Sequence, residues 1–430
     1  MKEGGLNMNI QLIITLLVML LMIIGFLSGK FKLGLVAMAA TTVLCLTGVL
    51  EFGEAYANFA NKNVLMIGGM FILAGALSKT SLVPRMRDFL MKHGDKAQLI
   101  IFIYIAANAI LIQFSMPTAL ISMFLPFMTS FGEDSKVQPQ HLLFPGAVVA
   151  HCFQGLLPGA YFVMINSLLE ANNAGVAISA MDYTKIIFIP CVIALIWCGL
   201  IAWRFMPKTQ KLDMSAFQTT QTEGKKLSST QEAIVYIAFV GNMLVMLFSD
   251  HVPINMYACP IALDIILCFL GILDFNDVKN FINLDTIFML AGVMPIGTAM
   301  QKTGAGQVIS DGIMALLGGH PSPMLMLFAF YFAGALLTQF MSNTATQQAF
   351  VPLAIVTCLA NGLDPRPFTM AIFAGCTAAM LTPTGSPSCA IAFGAGNYNI
   401  KNIVFGFLPL WILYGVAVCL SVNYFFPLVG

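Results

Sequence analysis

Charge is what this sequence most lacks. Only 9% of its 430 residues are Asp, Glu, Lys or Arg, against about 25% in soluble domains, so an ordinary water-facing surface is excluded. Neither sign dominates: 20 basic and 19 acidic residues leave a net charge of +1, which excludes the basic footprint of a nucleic-acid binder. His is scarce, at 5, and there is no HExxH or GxSxG pattern, so an enzyme of the zinc or serine hydrolase kind is not expected and no cofactor is implied. None of the 10 Cys forms a CxxC pair and most sit inside apolar runs, where they serve as small buried hydrophobes rather than disulfides or zinc ligands. No small-x-small cleavage site follows the first apolar run, about 10–29, and Lys30 and Lys32 close it, so it reads as a retained helix.

What is present is long and apolar. Hydrophobic residues make up 59% of the chain, with 35 Phe and 28 Met in uncharged runs, whereas an outer-membrane barrel would place polar residues at every second position. The fold class expected is therefore an all-α polytopic membrane protein. Besides the first, spans are placed near 33–50, 64–78, 143–169, 184–203, 232–249, 254–273, 286–300, 368–396 and 402–426, each long enough to cross the hydrocarbon core. Two further stretches, 97–131 and 322–360, are too long for one crossing and are interrupted at Ser115-Met116-Pro117-Thr118 and Ser342-Asn343-Thr344. They read as re-entrant hairpins. With both hairpins re-entrant, five of the 20 basic residues, Lys2, Lys62, Lys185, Lys302 and Arg366, fall on one side and the rest on the other. Positive charge collects on the cytoplasmic side, so both termini are expected outside the inner (plasma) membrane and residues 207–231 form a cytoplasmic linker.

The linker separates halves that echo each other. At an offset of 223, Leu44, Cys45, Gly48, Leu50 and Phe52 fall on Leu267, Cys268, Gly271, Leu273 and Phe275, Glu51 and Glu54 on Asp274 and Asp277, and Lys79-Thr80 on Lys302-Thr303. At 226, Gln113-Phe114, Thr118 and Pro126 fall on Gln339-Phe340, Thr344 and Pro352. Apolar composition alone does not generate such pairs. The reading is a duplication: a first repeat over 1–206, with hairpin 97–131 and broken helix 143–169, and a second over 232–430, with hairpin 322–360 and broken helix 368–396. Five spans per half invert the second copy, the plan of carriers with a midplane site. Residues 51–63 and 274–285 read as interfacial helices.

Chemistry concentrates at the interruptions. Backbone freed in mid-membrane must be satisfied by protein or a water-filled cavity. Ser342, Asn343 and Thr344 can cap the second hairpin helix and still offer oxygens and an amide to a ligand. The stretch Leu381-Thr382-Pro383-Thr384-Gly385-Ser386-Pro387-Ser388 cannot continue a helix, and Ser386 followed by Pro387 starts a new one. Two such N-termini at one depth make an anion site without a buried Arg or Lys, and the freed carbonyls and hydroxyls suit a hard cation such as sodium. A lone Pro-Gly break would mark only close helix packing; a broken helix beside a broken hairpin, echoed in the other half, favours a ligand site.

The Ser342-Asn343-Thr344 tip, and the Thr382-Pro383-Thr384-Gly385-Ser386-Pro387 break followed by Ala390-Ile391-Ala392-Phe393-Gly394, make the chain resemble the divalent anion:sodium symporter family. These are the di- and tricarboxylate and sulfate carriers of the ion transporter superfamily, and the resemblance covers almost the whole chain. It implies a homodimer of scaffold and elevator-type transport domains. It further implies hairpin tips that hold the substrate's carboxylates, and a sodium ion at each tip with its neighbouring broken helix. On these positions the substrate contacts are Ser115, Thr118, Ser342, Asn343, Thr344, Pro383, Thr384, Gly385 and Ser386, and the sodium ligands of the second half are Ser342, Asn343, Thr382 and Gly385. The first half departs from the pattern. Met116-Pro117-Thr118 stands where the family has Ser-Asn-Thr, and Leu156-Leu157-Pro158-Gly159-Ala160-Tyr161 lacks the hydroxyls usual around its Pro and Gly. The first sodium site is therefore expected to be weak or absent.

Three other positions carry expectations. His151, set about two turns before the first break, is a possible proton site, with a hydrogen bond to a backbone carbonyl as the plainer role. Asp264 is expected to pair with a helix end, and Lys79 and Lys302 to snorkel. The function expected is secondary transport of a small multivalent anion, with sulfate or another oxyanion, proton coupling or exchange as alternatives.

Overall fold

A backbone in lipid must satisfy its own hydrogen bonds within each segment, and this chain does so with helices. The computed structural model describes residues 2–28, 30–81, 85, 97–114, 117, 120–121, 124, 137–206, 227–248, 252–340, 342–382, 385–396 and 398–428, and no strand occurs among them. In the first half the helices are α1 (Lys2–Ser28), α2 (Leu33–Leu46), α3 (Phe52–Tyr56), α4 (Lys62–Ser78), α5 (Ala97–Leu111), α6 (Leu143–Cys152), α7 (Ala160–Ala171) and α8 (Asp182–Leu200). In the second they are α9 (Ser229–Leu247), α10 (Cys259–Phe269), α11 (Phe275–Phe281), α12 (Leu284–Thr303), α13 (Ala305–Leu316), α14 (Pro323–Leu337), α15 (Asn343–Ala360), α16 (Pro365–Thr377), α17 (Pro387–Gly396) and α18 (Ile400–Phe425).

Local sequence explains where many of these begin. Ser322 caps α14 ahead of Pro323, and Asp364 caps α16 ahead of Pro365, the arrangement in which the missing proline N–H costs nothing. The short helices α3 and α11 start alike: Glu54 accepts from the Glu51 N–H at 2.9 Å, and Asp277 from the Asp274 N–H at 3.0 Å.

Helices of the two halves interleave in one layer, α2 lying along α12 and α4 along α10. Small residues permit the first contact. A Cβ added to Gly292 would stand 2.9 Å from the Ala37 carbonyl carbon and the Met38 nitrogen. Thr41 donates to Gly292 O, and the Gly34 N–H donates to Asp285 Oδ1 at 2.8 Å. The short helices α3 and α11 then tie the halves reciprocally. Lys79, at the end of α4, pairs with Asp277 of α11 at 2.6 Å, and its counterpart Lys302, at the end of α12, pairs with Glu54 of α3. These lysines do not simply snorkel: each meets an acid of the other half.

Asp264 also departs from expectation. It is 5% exposed within α10, facing Gly69 of α4, and neither carboxylate oxygen has a hydrogen-bond partner among the described residues. It lines an apolar cavity of about 550 Å³ with residues of α4, α11 and α12. The first residues of α11 and α12, Phe275 and Leu284, line the same cavity, but no hydrogen bond joins them to the carboxylate among the described residues.

The second layer holds both interruptions. α8 packs on α18, α14 and α15 pack on α16, and α6 packs on α17. α6 stops at Cys152 and the chain resumes as α7 at Ala160; α16 stops at Thr377 and resumes as α17 at Pro387. Among the described residues, five helical stretches are long and apolar enough to cross a membrane, among them α8, α9, α12 and α18.

Candidate functional site

Each half places one glutamine just past the end of a helix, and the two make equivalent bonds. Gln113, just past α5, donates through Nε2 to Ala109 O at 3.1 Å and Phe153 O at 2.8 Å, and its Oε1 accepts from Leu157 N at 3.1 Å. Gln339, just past α14, donates to Ala335 O and Ala378 O at 2.8 Å each, and accepts from Leu381 N at 2.9 Å. A primary amide supplies two donors and an acceptor, which satisfies backbone groups freed by a break. Each hairpin end is thereby pinned to the broken helix beside it. This also corrects the second break: α16 ends at Thr377 rather than at Leu381, because Gln339 takes bonds that further helical turns would have used.

In the second half the predicted residues come together. Ser342 Oγ accepts from Ala345 N at 3.2 Å and caps α15, while Asn343 Oδ1 accepts from Thr338 Oγ1 at 2.7 Å. Thr382 Oγ1 donates to Gln339 O. Gly385 passes so near that a Cβ there would stand 3.1 Å from Thr338 O and 3.4 Å from Gln339 Cα, so a side chain at this position would push tip and break apart. Ser386 Oγ accepts from Cys389 N at 3.1 Å, capping α17 with Pro387 as its first residue. The N-termini of α15 and α17 each carry about half a positive charge, and the residues at or just before both starts touch the end of α14 at Thr338 and Gln339. Thr344 lies in the first turn of α15, partly exposed. Pro383 and Thr384 lie outside the described residues.

The oxygens here are of the hard kind that sodium takes: the hydroxyls of Ser342 and Thr382, the amide oxygen of Asn343 and the carbonyl of Gly385. The first half is poorer. Ser115 and Thr118 lie outside the described residues, and the break after α6 presents Leu156, Leu157 and Pro158. Thr184 of α8 donates to Leu156 O, occupying a carbonyl that the break exposes.

His151 lies in the last turn of α6, directly before the break at Phe153 rather than two turns away. Its partner is no backbone carbonyl: Nε2 lies 2.6 Å from the hydroxyl of Ser388, in the first turn of α17. Ser388 Oγ in turn lies 3.2 Å from Ser386 Oγ. The two broken helices therefore touch through a buried His-Ser-Ser chain.

Several functional residues were not legible as such. Gln113 and Gln339 were marked only by their echo, and Ser388 and Thr184 by nothing local. Gln347 and Gln348, one turn into α15, are 1% and 0% exposed, and Gln347 Nε2 and both amide atoms of Gln348 have no partner among the described residues. The hydroxyl of Tyr161, in the first turn of α7, meets the Gln347 side chain, so the first break also reaches the second hairpin. Neutral donors of this kind can serve an anion without a buried cation.

The citrate transporter family model (CitMHS) matches residues 18–346 and 260–429. The Escherichia coli (strain K12) protein named uncharacterized transporter YfbS is 31% identical over 180 residues, which are 41% of this chain and 28% of that protein. The chain thus spans less than a third of that relative's length. The sodium-dependent dicarboxylate transporter SdcS of Staphylococcus saprophyticus is 20% identical over 438 residues, 92% of this chain and 83% of its own. Among solved structures, the YdaH transporter of Alcanivorax borkumensis superposes with a TM-score of 0.61 at 13% identity, covering 88% of this chain and 89% of that one. That likeness is one of fold.

Proposed function

The chain belongs to the citrate transporter (CitMHS) family and is a membrane transporter, not an enzyme; from that premise we propose that it is a secondary carrier of small multivalent anions, most favourably di- or tricarboxylates. The observation that carries this reading is the junction of the second hairpin and second break. There Ser342 and Ser386 cap two helices, and Asn343, Thr382 and Gly385 beside those caps all meet Thr338 or Gln339 at the end of α14. Partial positive charge from two helix ends attracts an anion and costs no buried Lys or Arg. The anion contacts on this reading are Ser342, Asn343, Thr344, Pro383, Thr384, Gly385 and Ser386, together with Ser115 and Thr118 of the first hairpin.

Sodium couples the transport, held by Ser342, Asn343, Thr382 and Gly385. A sodium ion beside a bound dianion lowers the charge that must cross the hydrocarbon core, where each unit costs several kcal/mol. The first-half sodium site is weak, which the apolar lining of the first break and the bond from Thr184 to Leu156 O support. The layer holding both breaks, α5 to α8 and α14 to α18, is the transport domain, and the interleaved layer built on α2, α4, α10 and α12 is the scaffold past which it slides. The repeats span 1–206 and 232–430, the protein works as a homodimer in the inner membrane, and both termini face outward.

Uptake of radiolabelled succinate, citrate and sulfate into proteoliposomes under imposed sodium or proton gradients tests the reading. Saturable uptake of at least one anion with counterflow is expected. Unsaturable flux without counterflow would mean a passive pore.

A further inference from the structure

The end of α7 is gripped by the other layer at successive residues. Glu170, in its last turn, accepts from Asn61 Nδ2 at 3.2 Å and from Asn63 Nδ2 at 2.9 Å, with Lys62 Nζ 3.8 Å away. Ala171 lies so close to Gly297 of α12 that a Cβ there would collide with the Ala171 carbonyl. Gln301 of α12 then donates to Asn172 O and accepts from Asn173 Nδ2, both at 2.7 Å. Asn173 is the one non-glycine with a positive φ among the described residues, at 49°, a costly backbone that persists where surrounding contacts fix it.

Glu170 does not serve its own helix. An acid in the last turn meets that helix's partial negative charge, whereas the start of α4, capped by Asn61 and opening with Lys62 and Asn63, carries the opposite sign. The side chain is thus placed badly for α7 and well for a neighbour in the interleaved layer. Asn63 is 1% exposed and its Oδ1 has no partner among the described residues, a cost that its bond to Glu170 helps to offset. Yet the Glu170 side chain stays 44% exposed, beside a cavity of about 480 Å³ lined by Lys62, Asn63, Glu170, Asn173 and Tyr257. Water can take over these bonds when they part, so the contact is reversible.

Resting on the carrier reading above and its two layers, we propose that Glu170 is a latch. Its bonds to the start of α4, with those of Gln301 to Asn172 and Asn173, hold the transport layer in the position seen here and open in every transport cycle. The latch sets how the carrier divides between its two positions without touching the anion, because it stabilises one position and is solvated in the other.

The full chain carrying Asn63→Cys with Glu170→Cys, reconstituted in proteoliposomes and treated with a short bifunctional thiol reagent, tests this. A permanent structural contact tolerates a bridge, and one that has to open does not. Saturable uptake of succinate, citrate or sulfate is expected in the reduced double variant. It is expected to be lost once mass spectrometry shows the bridge, beyond any effect of the reagent on wild type or either single variant, and to return with dithiothreitol. Glu170→Gln, which keeps the shape and loses the charge, covers the case of a double variant inactive even when reduced. Apparent affinity scales with the fraction of carrier in the competent position, so the KM of Glu170→Gln is expected to fall from one face of oriented vesicles and to rise from the opposite face. Full uptake by the bridged protein, or KM values unchanged or moved in the same direction from both faces, overturns the inference alone. Absence of saturable uptake in wild type overturns the carrier reading and this inference together.

Discussion

Single side chains do two jobs at the junction, and their substitution should separate them. Asn343 stands among the proposed anion and sodium contacts, and its Oδ1 also accepts from Thr338. Asn343→Ala is expected to abolish uptake and to lower stability by about 1 kcal/mol, read as a modest drop in melting temperature in detergent. Wild-type uptake in that variant would remove the second tip from the site. Gln339→Ala should be far more damaging, because it strands Ala378 O and Leu381 N in a buried place. A loss of about 2–4 kcal/mol is expected, with a smaller loss for Gln113→Ala, whose bond to Leu157 N is exposed; a melting curve unchanged in both would refute the pinning role. The caps Ser342 and Ser386 were legible in the sequence because capping is decided within four residues. Ser388, Thr184 and the orphaned Gln348 were not, because their roles depend on helices more than 20 residues away in the chain.

At the scale of elements, both breaks and the short helices α3 and α11 were legible from polar residues interrupting apolar runs. What the sequence could not place was how the interfacial helices engage. Acid and lysine echo at the same offset of 223 because each bridge joins one half's acid to the other half's lysine, a relation visible only once the halves are folded together. Burial alone would raise the pKa of Asp277, but the hydrogen bond from Lys79 and the Asp274 N–H outweigh it and hold the carboxyl below its ordinary value. The sign follows from linkage: a depressed folded pKa contributes stability above the unfolded value, and that contribution disappears as pH falls through the folded one. The melting-temperature gap between wild type and Lys79→Met is therefore expected to be constant near neutrality and to close on acidification below the ordinary carboxylate range. A gap indifferent to acid would assign the Lys79 effect to packing. The misplaced end of α16 has the same origin as the unseen bridges, since a side chain from another helix, Gln339, decides where the turns stop.

Across the whole molecule, the membrane class and the all-helical architecture followed from composition, since so few charges leave no other solvent for the surface. The two halves differ where it matters for coupling: the second break carries Thr382 and Ser386, the first Leu156, Leu157 and Pro158. Sodium dependence of uptake is accordingly expected to give a Hill coefficient of about one, and a value of about two or more would restore the first sodium site. The central claim is that electropositive ends of interrupted helices capture the anion. Its most direct measurement is a cryo-EM map of the protein in lipid nanodiscs with saturating succinate or citrate. Ligand density between Ser342 and Ser386, touching the N-termini of α15 and α17, is the predicted result. Density elsewhere, with that junction empty, would contradict it.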